Sequence, residues 1–153
     1  MIRQFKFEDE IHQNLGCVPM AVRRKLDRVG IKISLAQWQA LGYGERLALC
    51  HMPVETDDEC TAVRIFTSEA VRARSGSDIK PLSEASRAGA EPPSSPPPRL
   101  VEHARGEGFT LTQPLWDRLD GDERYALIKL GDAEKPSHNL AAALAEFAKA
   151  EIP

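Results

Sequence analysis

Cysteine is scarce in this chain, with three in 153 residues. An odd count that small cannot complete a disulfide framework, and Cys17, Cys50 and Cys60 do not show the paired Cys-x-x-Cys spacing of a zinc ribbon. A reducing cytoplasm is the expected compartment. Long apolar runs are missing as well. The least polar stretch, Leu140 to Ala145, is short and mostly alanine, and the mean hydropathy is -0.37, so no membrane span is expected. The opening Met1-Ile2-Arg3-Gln4-Phe5-Lys6-Phe7-Glu8 has no apolar core of the secretory kind, so no signal peptide is expected. Positive charge is not in excess: Lys+Arg of 20 against Asp+Glu of 23 leaves -3, and the pI of 5.8 argues against a nucleic-acid partner. No Gly-rich phosphate loop, nucleophile elbow, His-Glu-x-x-His run or paired-carboxylate motif occurs, so no cofactor is implied.

What remains is an ordinary globular balance, 42% hydrophobic and 28% charged, at a length suited to one domain or two very small ones. One segment stands apart. Residues 75–98 are dominated by Gly, Ser, Ala and Pro, have no aromatic residue, and hold five of the 11 prolines between Pro92 and Pro98. Such a composition buries too little apolar surface to offset its ordering entropy, which predicts a flexible linker with a polyproline-like end. The expected organisation is therefore an N-terminal unit over 1–74, the linker over 75–98, and a C-terminal unit over 99–153.

The two units match at a constant offset of 78, from Gly30 to Gly108. Gly30-Ile31-Lys32-Ile33-Ser34 aligns with Gly108-Phe109-Thr110-Leu111-Thr112, Trp38 with Trp116, Leu41 with Leu119, and Glu45-Arg46 with Glu123-Arg124. In each repeat an apolar face at helical spacing (Val22, Leu26, Val29) ends at a glycine. An alternating extended segment follows, then a Ser or Thr N-cap that opens a short helix carrying the tryptophan. Thr56-x-x-Glu59 is a capping box for a further helix, and Leu140, Leu144 and Phe147 mark the last one. The expected fold is mainly α: two helix–extended–helix repeats related by pseudo-twofold symmetry and sharing one core around Trp38 and Trp116. Segments 31–33 and 109–111 are candidates to pair as a short two-stranded ribbon. The plan resembles paired EF-hands, but residues 27–32 supply one carboxylate with cations where ligands belong, which excludes calcium.

Few residues carry chemistry. Cys17 stands at the start of the first long helix, where the helix N-terminus, Arg23 and Arg24 would favour its thiolate; the plainer reading is a small buried hydrophobe beside Val18 and Met20, and free cysteine is often buried. Arg23, Arg24, Lys25, Arg28 and Lys32 form a basic stretch around Asp27, readable as a docking surface for an acidic partner or as a solvated helix face. His138 precedes the last helix and reads as a ligand-facing residue or a plain exposed one.

Three groups of residues together resemble the nitrate reductase-associated proteins. They are Phe5-x-Phe7-Glu8; Cys17-Val18-Pro19-Met20-x-Val22-Arg23-x-Lys25-Leu26-Asp27-x-x-Gly30-Ile31-Lys32 with Leu35-x-x-Trp38; and Glu123 to Leu130 with Ser137-His138-Asn139 and Glu146-Phe147. The resemblance implies a small, non-enzymatic accessory protein of nitrate-assimilating bacteria. Its partner would be assimilatory nitrate reductase, whose activity or maturation it would support. The residues at matching motif positions taken as partner-binding are Cys17, Met20, Arg23, Lys25, Asp27, Lys32 and His138. Two alternatives stand beside this: a metal or iron–sulfur carrier using Cys17, Cys50, Cys60 and His138, and a small enzyme with Cys17 as nucleophile.

Overall fold

The computed structural model describes residues 3–149, which form two compact units. One is built from Glu8–Ala90, the other from Glu91 onward together with Phe5–Phe7. The described residues hold ten α-helices and one two-stranded antiparallel sheet, so the mainly α expectation holds. No helix among them is long and apolar enough to cross a membrane.

In the first unit, α1 (Asp9–Asn14) leads to α2 (Met20–Val29). Pro19 sits one position outside α2, as its N-cap, and Val22, Leu26 and Val29 form the predicted buried face. Gly30 ends α2 in the left-handed region at φ 88, its N–H reaching Leu26 O at 2.9 Å. After β1 (Ile31–Lys32), Ser34 caps α3 (Leu35–Ala40) through a reciprocal box with Gln37. Helix α4 (Tyr43–His51) starts where Glu45 Oε1 accepts the Gly42 N–H at 2.8 Å, and Arg74 Nε donates to the same oxygen. Helix α5 (Asp57–Ser75) opens on the Thr56/Glu59 box and buries Val63, Thr67, Ala70 and Val71. The core of this unit gathers Trp38, Leu15, Leu26, Leu49 and Val71, with Phe66 and Ile79 packed against it.

Two expectations change here. Strand β1 does not pair with 109–111. It pairs with β2 (Lys80–Pro81), with Ile31 opposite Pro81 and Lys32 opposite Lys80. The cause is local: Gly76 caps α5 at φ 71 and turns the chain back, Ile79 anchors on the core, and Leu82 N–H reaches Gly30 O at 2.9 Å. Segment 109–111 has no strand, because Phe109 N–H is tied back to Ala104 O at 2.9 Å. The segment read as a linker over 75–98 also carries structure. Besides β2 it holds α6 (Glu84–Ala88), which packs on α2, and the boundary between the compact units falls after Ala90, a buried residue. Arg24 Nε holds Ala90 O at 2.8 Å, and the Arg87 side chain lies over Gly30.

In the second unit, Pro98 opens α7 (Pro98–Gly106), Thr112 caps α8 (Gln113–Arg118), and a reciprocal Asp120/Glu123 box opens α9 (Gly121–Gly131). Helix α10 (Leu140–Lys149) buries Leu140, Ala143, Leu144 and Phe147. The Phe5 and Phe7 rings stack at 5.4 Å, and Phe5 meets Phe147 edge-on at 5.3 Å. Gly131 is required by packing, since a Cβ there would collide with Leu100 Cδ1.

Gly30 is constrained by its positive φ, whereas the Arg87 side chain that a Cβ would meet is exposed and can swing aside. Gly30→Ala is expected to lower stability by about 1–2 kcal/mol, the cost of a side chain in the left-handed region. Chemical denaturation checks this; an unchanged midpoint would refute it.

Candidate functional site

The site begins at a bend. Leu15 closes α1 in the left-handed region, at φ 54 and ψ 37, a conformation uncommon for leucine. The bend directs the Leu15 carbonyl at two donors, Trp38 Nε1–H at 2.7 Å and Arg46 Nη1 at 2.9 Å. Gly16 is held next to it: its carbonyl accepts from Gln39 Nε2 at 3.1 Å, and its N–H donates to Asn14 Oδ1 at 2.9 Å. Clamped in this way, the chain presents Cys17 to solvent and Val18 half-buried before α2 starts.

Those two residues form one wall of a shallow cleft of about 260 Å³ completed by Arg23 of α2, by Ile33 after β1 and by Leu35 at the start of α3. Leu35 is 52% exposed, one of several large apolar side chains at the surface, with Tyr43, Leu47 and Ile65. The N-terminus of α2 is already occupied. Glu8, only 3% exposed, places Oε2 2.9 Å from the Met20 N–H. The Met20 amide at the start of α2 is thus already satisfied by an internal carboxylate.

The basic stretch divides by role. Arg24 is committed to Ala90 O. Lys25 Nζ caps the C-terminus of α4, donating to Cys50 O at 2.7 Å, Met52 O at 2.8 Å and Leu49 O at 3.3 Å. Asp27 and Arg28 are half-buried and also have partners. Arg23 and Lys32 are the exposed cations of the stretch whose charged ends meet no polar partner among the described residues. Strand alternation puts Lys32 on the side of β1 opposite Ile31 and Ile33, away from the cleft.

Of the residues singled out from the sequence, then, Cys17 and Arg23 come together. Met20 faces inward, Lys25 acts as a helix cap, and Lys32 lies on the other side of its strand. His138 is an exposed residue of the second unit, in the turn before α10. Val18, Ile33 and Leu35 were named from the sequence as motif or repeat residues but not taken as partner-binding. The one available signal was Leu35, an apolar residue at the first position of a capped helix, three residues from the buried Trp38.

The cysteines occupy three different settings. Cys17 is exposed, Cys60 is half-buried with Sγ 3.4 Å from Val54 O, and Cys50 is buried. Burial pushes the Cys50 thiol up, with Lys25 pulling the other way. Among the described residues no group of three or more His, Cys, Asp or Glu side chains is placed to hold a metal.

His12 is half-buried one turn from the Glu8 carboxylate, with Nε2 4.0 Å from Oε1, and this buried Nε2 has no hydrogen-bond partner among the described residues. Burial pushes His12 below its ordinary value, and Asp9 opposes this in part. The unfolded chain therefore takes up the His12 proton first as pH falls. The neutral ring's contribution is present above about pH 6.5 and is lost as pH falls toward the lower folded value. His12→Gln is expected to flatten this part of a melting-temperature profile; a profile identical to wild type would refute it. Lys25→Met is expected to cost about 1.5–3 kcal/mol, the range for hydrogen bonds to a charged group, as read by urea denaturation. Unchanged stability would return Lys25 to the candidate binding residues.

Comparison with known proteins bears on this geometry. The profile of one protein family, described as conserved nitrate reductase-associated protein, matches residues 4–147. No curated protein and no solved structure matches the chain.

Proposed function

The chain belongs to the conserved nitrate reductase-associated protein family, and on that premise we propose that it is a non-catalytic accessory protein. In this reading it supports the activity or maturation of assimilatory nitrate reductase by binding it. Family membership is the observation that carries the reading. The cleft adds to it. Its lining of Cys17, Val18, Arg23, Ile33 and Leu35 includes no histidine or carboxylate to serve as a general base. Its volume of about 260 Å³ is below the roughly 300–1,000 Å³ common for small-molecule sites. An open depression of mixed polar and apolar lining with one cation suits contact with another protein better than turnover of an enclosed substrate.

The test is retention of nitrate reductase on the tagged full-length protein, together with reductase activity in a strain without the gene. Retention and a fall in activity are expected. No retention and unchanged activity would reject the reading.

A further inference from the structure

We propose that the cleft between the Cys17–Val18 loop, Arg23, Ile33 and Leu35 is the docking site, and that its occupant is a partner segment presenting an apolar side chain next to a carboxylate. The inference rests on the association reading and adds the surface and the chemistry of what it grips.

Three observations carry it. The first is exposure: Leu35 is 52% exposed at the lip of a depression whose other apolar walls are Val18 and Ile33. The second is charge. Arg23 is the lining residue with a charge, its guanidinium has no polar partner among the described residues, and a guanidinium fork matches a carboxylate with two parallel hydrogen bonds. Arg24 and Lys25, its neighbours in sequence, are held by Ala90, Cys50 and Met52 carbonyls, so Arg23 is singled out by the fold. The third is preorganisation. The loop wall is held by the Trp38, Arg46 and Gln39 hydrogen bonds and the Leu35 wall by the Ser34/Gln37 box, so little ordering cost falls on binding.

Cys17 lies in the cleft and reports on its occupancy. In the complex of the full-length protein with nitrate reductase, alkylation of Cys17 by iodoacetamide, followed site by site by mass spectrometry, is expected to slow by about fivefold or more as the site is covered. Arg23→Glu and Leu35→Asp are expected to weaken reductase binding by about tenfold or more, whereas Arg23→Lys retains most of it. Lys32→Glu, an identical charge change on the far side of β1, is expected to change binding by less than about twofold. Both cleft residues are exposed, so the variants are expected to melt close to wild type, which circular dichroism verifies.

Retained reductase with full Cys17 reactivity, or with normal binding by Arg23→Glu and Leu35→Asp, overturns the cleft while leaving the association intact. Equal weakening by Arg23→Glu and Lys32→Glu overturns it in favour of general charge attraction. Concentration-dependent protection of Cys17 with no reductase present overturns it in favour of a second copy of this chain as occupant. If wild-type protein retains no reductase, the association reading falls and this inference falls with it.

Discussion

A buried indole N–H needs an acceptor, and the backbone of the first unit is shaped around supplying one. Trp38 is fully enclosed, and leaving its N–H without a partner would cost about 1–3 kcal/mol. The acceptor is the carbonyl of Leu15, brought into position by a left-handed bend that a leucine adopts at a cost. The same carbonyl also takes Arg46, and Gln39 holds the next one. These bonds fix the loop that carries Cys17 and Val18. The cleft wall is in this sense a by-product of satisfying the core. In the second unit Trp116, also fully buried, donates to Pro93 O at 3.0 Å, with the Arg124 guanidinium 5.6 Å from its ring centre. In both units the acceptor stands 23 residues before its tryptophan. This gives the proline-rich stretch a structural task. Proline cannot donate from its backbone nitrogen, but its carbonyl remains available to accept.

Charge follows the same logic. A run of cations in sequence suggests a basic patch, but the fold distributes it. Helix α4 ends with carbonyls that have no partner within the helix, and Lys25 reaches them from α2. Arg24 stabilises the chain where it leaves α6. Two exposed cations, Arg23 and Lys32, remain, separated by the alternation of a two-residue strand. One faces the cleft and the other does not. A surface defined by one guanidinium beside Leu35 selects a partner more sharply than a diffuse basic face would, because geometry as well as charge must match.

The parts of this fold that were legible in the sequence depend on neighbours within about one helical turn. Ser34 and Asp120 were visible as N-caps and Thr56/Glu59 as a capping box; each is a cap in the structure, and Gln37 and Glu123 complete the other two boxes. Gly30 was visible as a helix end because few other residues tolerate its φ. The partner of β1 was not visible. A segment rich in Gly, Ser and Pro gives a weak signal, and the anchors that order it, Ile79, Leu82 and Ala90, are single residues whose contacts lie far away in the chain. Of the candidate site, Cys17 and Arg23 were legible as chemistry, while their company was not. Glu8 capping α2 and Lys25 capping α4 join residues 12 and up to 27 positions apart, beyond any spacing rule.

Amino-acid order alone marked several helix ends, such as Gly30, Ser34 and Thr56, and the inward face of α2, since backbone propensity and apolar periodicity act over a few residues. Tertiary packing decided which carbonyl receives each buried donor, which cations are consumed as caps, and which apolar side chain is left at the surface beside Arg23. Those outcomes depend on where distant segments meet, and only the folded chain brings them within the few ångströms over which hydrogen bonds and van der Waals contact operate.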